Sequence, residues 1–130
     1  MELHHIGYLV DSIEKGIEIF APTISHEQGI SGVFTIDDQQ VKVCFLDLGK
    51  EVYLELVEPV EGNKSLKKLK KKGVGCYHLG FLTLDLEREI EQFEAKDFKH
   101  ISTFSSPAFE GRNCAFLLSP DFQLLELIQS

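Results

Sequence analysis

At 130 residues and 43% hydrophobic content, the chain is long enough to bury one ordinary core and too short for two independent domains of usual size. Its formal charge of -8 argues against nucleic acid as a partner, because phosphate backbones require a broad basic surface, and no apolar run approaches the roughly 20 residues that span a bilayer. Met1-Glu2-Leu3-His4-His5 lacks the charged and apolar regions of a signal peptide, so the expectation is a soluble, cytoplasmic protein.

In chain order, Leu3 to Val10 reads as a strand, rich in β-formers and without helical spacing, and Asp11-Ser12-Ile13-Glu14 caps a helix through Phe20. Pro22 ends that helix, and Gly29 to Gly32 mark a loop. Three strands are expected next, near 32–37, 40–48 and 51–58, with Asp37-Asp38 and Gly49-Lys50 at the turns. A connecting helix covers 63–72. The pattern then restarts at Gly75: strand 76–84, helix 86–96, and strands near 98–104, 113–118 and 122–129. The expected fold class is α+β: two tandem βαβββ modules forming a curved mixed sheet with helices on its outer face. They make a single domain over 1–130, with half-modules 1–60 and 75–130 joined by a Lys-rich helical connector, 61–74.

The duplication is visible residue by residue. His5-Ile6-Gly7-Tyr8-Leu9 returns as His78-Leu79-Gly80-Phe81-Leu82 at an offset of 73, and Phe45-Leu46 with Leu54-Glu55-Leu56 returns as Phe116-Leu117 with Leu125-Glu126-Leu127 at 71. Each copy opens on a His and closes on a Glu. Strand alternation puts His5 on the face of Gly7 and Leu9, opposite Ile6, Tyr8 and Val10, and sets Glu55, His78 and Glu126 between apolar neighbours whose side chains point the other way. All four polar residues can therefore face the concave side of the sheet. Burying carboxylates there costs several kcal/mol unless they are partnered, which points to a metal or a polar substrate. Imidazole nitrogen with carboxylate oxygen suits one divalent ion such as Zn, Ni, Co, Mn or Fe.

Other polar residues carry weaker signals. His4 shares the parity of Ile6 and Tyr8 and is expected to be structural or at the surface, while His26 and His100 fall in loop or edge positions with no evident role. Cys44, Cys76 and Cys114 are odd in number and lie in strand-like apolar segments, so reduced core thiols are expected. Lys64, Lys67, Lys68, Lys70, Lys71 and Lys72 place six positive charges within nine positions and leave the rest of the chain at -14. Such a cluster either holds an anionic group, such as a coenzyme phosphate, or forms a solvated helix face.

At Leu3-His4-His5-Ile6-Gly7-Tyr8-Leu9-Val10-Asp11-Ser12-Ile13-Glu14, Glu55-Leu56-Val57-Glu58-Pro59, Cys76-Tyr77-His78-Leu79-Gly80-Phe81 and Leu124-Leu125-Glu126-Leu127, the sequence resembles the vicinal oxygen chelate superfamily. That family includes glyoxalase I, methylmalonyl-CoA epimerase, extradiol dioxygenases and bleomycin or fosfomycin resistance proteins. The segments look most like its epimerase-like and glyoxalase-like members. The resemblance implies a glyoxalase-like fold and a metal held by His5, Glu55, His78 and Glu126. It also implies abstraction of a proton next to a metal-bound carbonyl, with Glu126 or Glu55 as the catalytic base. The pattern departs at Val43, where many epimerases carry a further carboxylate, and Asp37 and Asp38 sit back in the turn.

The implied activity is that of a metal-dependent isomerase or lyase acting on a small molecule, with a CoA or other thioester as a possible substrate. A non-catalytic small-molecule binding or resistance protein of the same fold is the alternative, which the -8 charge suits for a cationic drug. A dioxygenase ranks third, because such iron sites usually use two His and one carboxylate. Modules in this superfamily often pair between chains, and a homodimer is expected. Leu9, Phe34, Phe45, Val57, Phe109 and the loop 21–32 are expected to shape the pocket.

Overall fold

The computed structural model describes residues 1–24 and 28–130, so His26 and the middle of the loop 21–32 lie outside the described residues. Two compact units emerge: His5–Tyr77, and Met1–His4 with His78–Ser130.

In the first half of the chain, β1 (Glu2–Leu9) leads through α1 (Ile13–Phe20) to β2 (Phe34–Ile36), β3 (Val41–Gly49) and β4 (Val52–Pro59), followed by α2 (Lys64–Lys71). The strand order is β2-β3-β4-β1, with β1 parallel to β4 and the remaining pairs antiparallel. The second half of the chain repeats it with β5 (Cys76–Thr83), α3 (Leu86–Glu94), β6 (Lys99–Ser106), β7 (Arg112–Leu118) and β8 (Leu124–Gln129), in the order β5-β8-β7-β6 with β5 parallel to β8. The βαβββ pattern expected from sequence is thus present twice.

Each module's helix is started by the same two devices. Ser12 and Asp85 are the N-caps, whose side chains accept from Lys15 N (3.2 Å) and Arg88 N (3.1 Å). The first-turn amides of Ile13 and Leu86 donate to side chains from the module's last strand, Glu58 Oε1 at 2.8 Å and Gln129 Oε1 at 2.9 Å. One helix face is then committed to the sheet. Ile13, Ile17 and Phe20 pack with Leu54, Leu56, Cys44 and Leu46, while Leu86, Ile90 and Phe93 pack with Ala115, Leu117 and Leu127. Fully buried leucines such as Leu56 and Leu127 each contribute about 1.5–3 kcal/mol. At Gly16 the helix lies so close to the sheet that a Cβ would stand 2.9 Å from Val10 Cγ1 and 3.0 Å from Leu56 Cδ1.

The structure corrects three local expectations. The strand expected at 32–37 is reduced to Phe34–Ile36 because Ser31 diverts the ladder, its hydroxyl oxygen accepting from Phe45 N at 2.8 Å. The strand expected from 122 begins at Leu124, since Phe122 has φ 68° and belongs to a turn in which its amide donates to Ser119 O. Cys76 is exposed at the start of β5, whereas Cys44 and Cys114 are fully buried, and none of the three is in a disulfide among the described residues.

Candidate functional site

Register explains how each module sets a His beside a Glu. On β4, Glu55 lies between Gly7 of β1 and Phe45 of β3; on β8, Glu126 lies between Gly80 of β5 and Phe116 of β7. Each glycine leaves the carboxylate room on the face where the His two residues earlier projects. His5 Nε2 stands 3.9 Å from Glu55 Oε1, and His78 Nε2 stands 3.2 Å from Glu126 Oε2. An aromatic edge braces each imidazole: the centroids of His5 and Phe45 are 5.9 Å apart at 72°, and those of His78 and Phe116 are 5.8 Å apart at 80°.

All four side chains are buried, with exposures of 0% for His5, 3% for Glu55, 1% for His78 and 2% for Glu126. At that depth an ionised carboxylate is tolerable only with hydrogen bonds and compensating positive charge. The donor set fits a borderline divalent ion. Nitrogen and oxygen ligands at about 2.1 Å from a shared ion are separated by about 3.0–3.4 Å, which the 3.2 Å pair meets and the 3.9 Å pair approaches.

The other residues singled out from sequence stand apart from this chemistry. His4 is half-buried with its ring edge on Phe109, at 5.3 Å between centroids, and His100 Nε2 lies 2.8 Å from Thr103 Oγ1. Val43 is 1% exposed on β3, paired with Phe34 and Val57, while Asp37 and Asp38 are exposed in a short 3-10 turn. Sequence reasoning assigned no support role to Phe116 or to Gly7 and Gly80. The signal was present in the offsets of 73 and 71 that relate Gly7 to Gly80 and Phe45 to Phe116.

With this geometry in view, the relatives are informative. Residues 4–116 match the model of the glyoxalase/bleomycin resistance protein/dioxygenase superfamily. The chain belongs to that superfamily, and its fold is the glyoxalase-like α+β fold. An uncharacterized protein of Bacillus subtilis (strain 168), YqjC, is 28% identical over 120 residues, covering 88% of this chain and 81% of its own. Methylmalonyl-CoA epimerase from Mycobacterium tuberculosis superposes with a TM-score of 0.81 at 20% identity, over 98% of this chain and 87% of that one. A Streptomyces coelicolor methylmalonyl-CoA epimerase in complex with 2-nitronate-propionyl-CoA gives 0.81 at 24% identity, over 100% and 94%. Among the described residues no helix is long and apolar enough to cross a membrane.

Proposed function

We propose that this protein is a metal-dependent isomerase or lyase, epimerase-like in its leading form, acting on the C–H next to the carbonyl of a CoA thioester or related compound. The observation that carries the reading is the deeply buried His–Glu pair, made twice by the same register in a chain of this superfamily. In this reading His5, Glu55, His78 and Glu126 together hold one divalent ion, either within one chain or across a homodimer. When bound, such an ion supplies Lewis-acid polarisation of the substrate carbonyl.

The remaining work belongs to side chains. Glu126 takes the α-proton at a carboxylate oxygen and returns it, with Glu55 as the second candidate base. The apolar residues around each pair exclude water and keep the carboxylate desolvated. Val43 offers no further base, so removal and return of the proton both fall to the two glutamates. A CoA thioester is favoured by the fold's likeness to an epimerase bound to an acyl-CoA analogue.

The test is elemental mass spectrometry of dialysed protein, followed by α-proton exchange in D2O with a panel of acyl-CoA thioesters and hemithioacetals. About one divalent ion per chain is expected in the wild type, lost in His78→Ala, with exchange abolished in Glu126→Gln. Absence of metal after incubation with nickel, zinc or cobalt, with no exchange across the panel, would overturn the enzyme reading in favour of a ligand-binding protein.

A further inference from the structure

The lysine cluster has a defined setting. Asn63 caps α2, its Oδ1 accepting from Leu66 N at 3.3 Å, while its Nδ2 donates to the carbonyls of Gln39 and Gln40 at 3.2 and 2.9 Å. The helix is thereby anchored to the turn before β3 through a residue only 6% exposed. From this fixed origin, helical spacing sends Lys67, Lys70 and Lys71 to one flank and Lys68 and Lys72 to another. The first three line a cavity of about 430 Å³ together with Val10, Asp11 and Pro59.

Charge and packing both set this cavity apart. It gathers three ammonium groups against one carboxylate, in a chain whose net charge is -8. Along α2, Lys64–Lys68, Lys67–Lys71 and Lys68–Lys72 are like-charge pairs four residues apart, and Lys64–Lys67, Lys67–Lys70 and Lys68–Lys71 are pairs three apart. Such pairs weaken a helix. Favourable placement of cations near a helix C-terminus needs only one or two lysines, so the macrodipole does not account for six. An anion seated among Lys67, Lys70 and Lys71 relieves that repulsion. A long polyanion fits poorly, because the rest of the chain, at -14, repels it.

We infer that Lys67, Lys70 and Lys71 form a binding site for the phosphate groups of a small ligand, with Val10 and Pro59 supplying an apolar floor. The inference rests on the proposed function for its physiological ligand: there, the site takes the phosphorylated handle of the thioester substrate. The phosphate chemistry itself requires neither metal nor proton transfer.

Isothermal titration calorimetry at low ionic strength tests it with two probes that lack an acyl group, adenosine 3',5'-bisphosphate and inorganic pyrophosphate. Wild type and K68Q/K72Q are expected to bind the bisphosphate, and K67Q/K70Q/K71Q to bind it about tenfold more weakly or worse, with affinity falling as salt is raised. Equal affinity for pyrophosphate assigns recognition to phosphate alone, whereas tighter binding of the bisphosphate assigns it to a nucleotide handle; both support the site. No binding by wild type, or equal losses in the two lysine variants, overturns it. Because neither probe can undergo α-proton exchange, failure here leaves the proposed reaction to its own assay, and failure of that assay leaves this site standing.

Discussion

Among single residues, Cys44 and Cys76 make opposite statements about the same atom type. Burial pushes the Cys44 thiol above its ordinary value of 9.0, against a smaller opposing effect of its hydrogen bond with Ser31, while Cys76 is open to solvent. A thiol-reactive dye is therefore expected to label one cysteine rapidly in the native protein and all three in denaturant. A raised thiol pKa favours the folded state below the unfolded value and loses that contribution as pH climbs past about 9. Urea unfolding at about pH 8 and about pH 10 should show a steeper loss of stability for wild type than for Cys44→Ala. Sequence showed that all three cysteines sit in strand-like segments, but strand membership does not say which end is covered, and Cys76 begins β5 at an uncovered end. The four His and Glu positions were legible for the opposite reason: each lies mid-strand, where alternation fixes the face, and each has a counterpart in the repeat.

Within the secondary elements, helix seating is decided by atoms that pattern reading passes over. Gly16→Ala tests this as a contest of two known effects. Alanine improves an exposed helix interior by about 1 kcal/mol, but overpacking costs about 1–3 kcal/mol, and here the new methyl meets Val10 and Leu56 at 2.9 and 3.0 Å. A net destabilisation of about 1 kcal/mol is expected in chemical denaturation. Glu58→Ala and Gln129→Ala each remove the acceptor for a first-turn amide, and each is expected to cost about 1 kcal/mol, with Glu58 also losing a favourable interaction with its helix N-terminus. Equal behaviour of the two variants would reflect their equivalent places in the repeat. Element order and type were readable because periodicity changes from 2 to 3.6 and back at clear Gly, Pro and Asp signals. The shortening of β2 was not, because a serine hydroxyl replacing a backbone partner leaves no trace in hydrophobic pattern.

For the molecule as a whole, the doubled βαβββ architecture was legible from the duplication, and the glyoxalase-like class from the resemblance of the motifs around His5, Glu55, His78 and Glu126. The strand order within each unit required the structure, since parallel pairing of first and last strands is not encoded by local periodicity. The whole protein also carries the thermodynamic test of the proposed metal. A metal that binds the folded chain alone stabilises it by mass action, so dialysis against a strong chelator is expected to lower Tm by several degrees, and added divalent ion to restore it. No shift on chelation of metal-loaded protein would count against a buried ligand set.

The parallel pairing has a further consequence, for the order of events as the chain folds. His5 meets Glu55 and His78 meets Glu126 only when β1 reaches β4 and β5 reaches β8, whereas the β3–β4 and β6–β7 pairs join neighbouring segments. Hairpins close early because little chain entropy opposes them, and contacts between distant segments close late. Each His–Glu pair is therefore a product of the final closure of its module. A refolding chain is expected to acquire most of its β-structure before its His–Glu pairs form, which makes each pair a report that the parallel strands of its module have met.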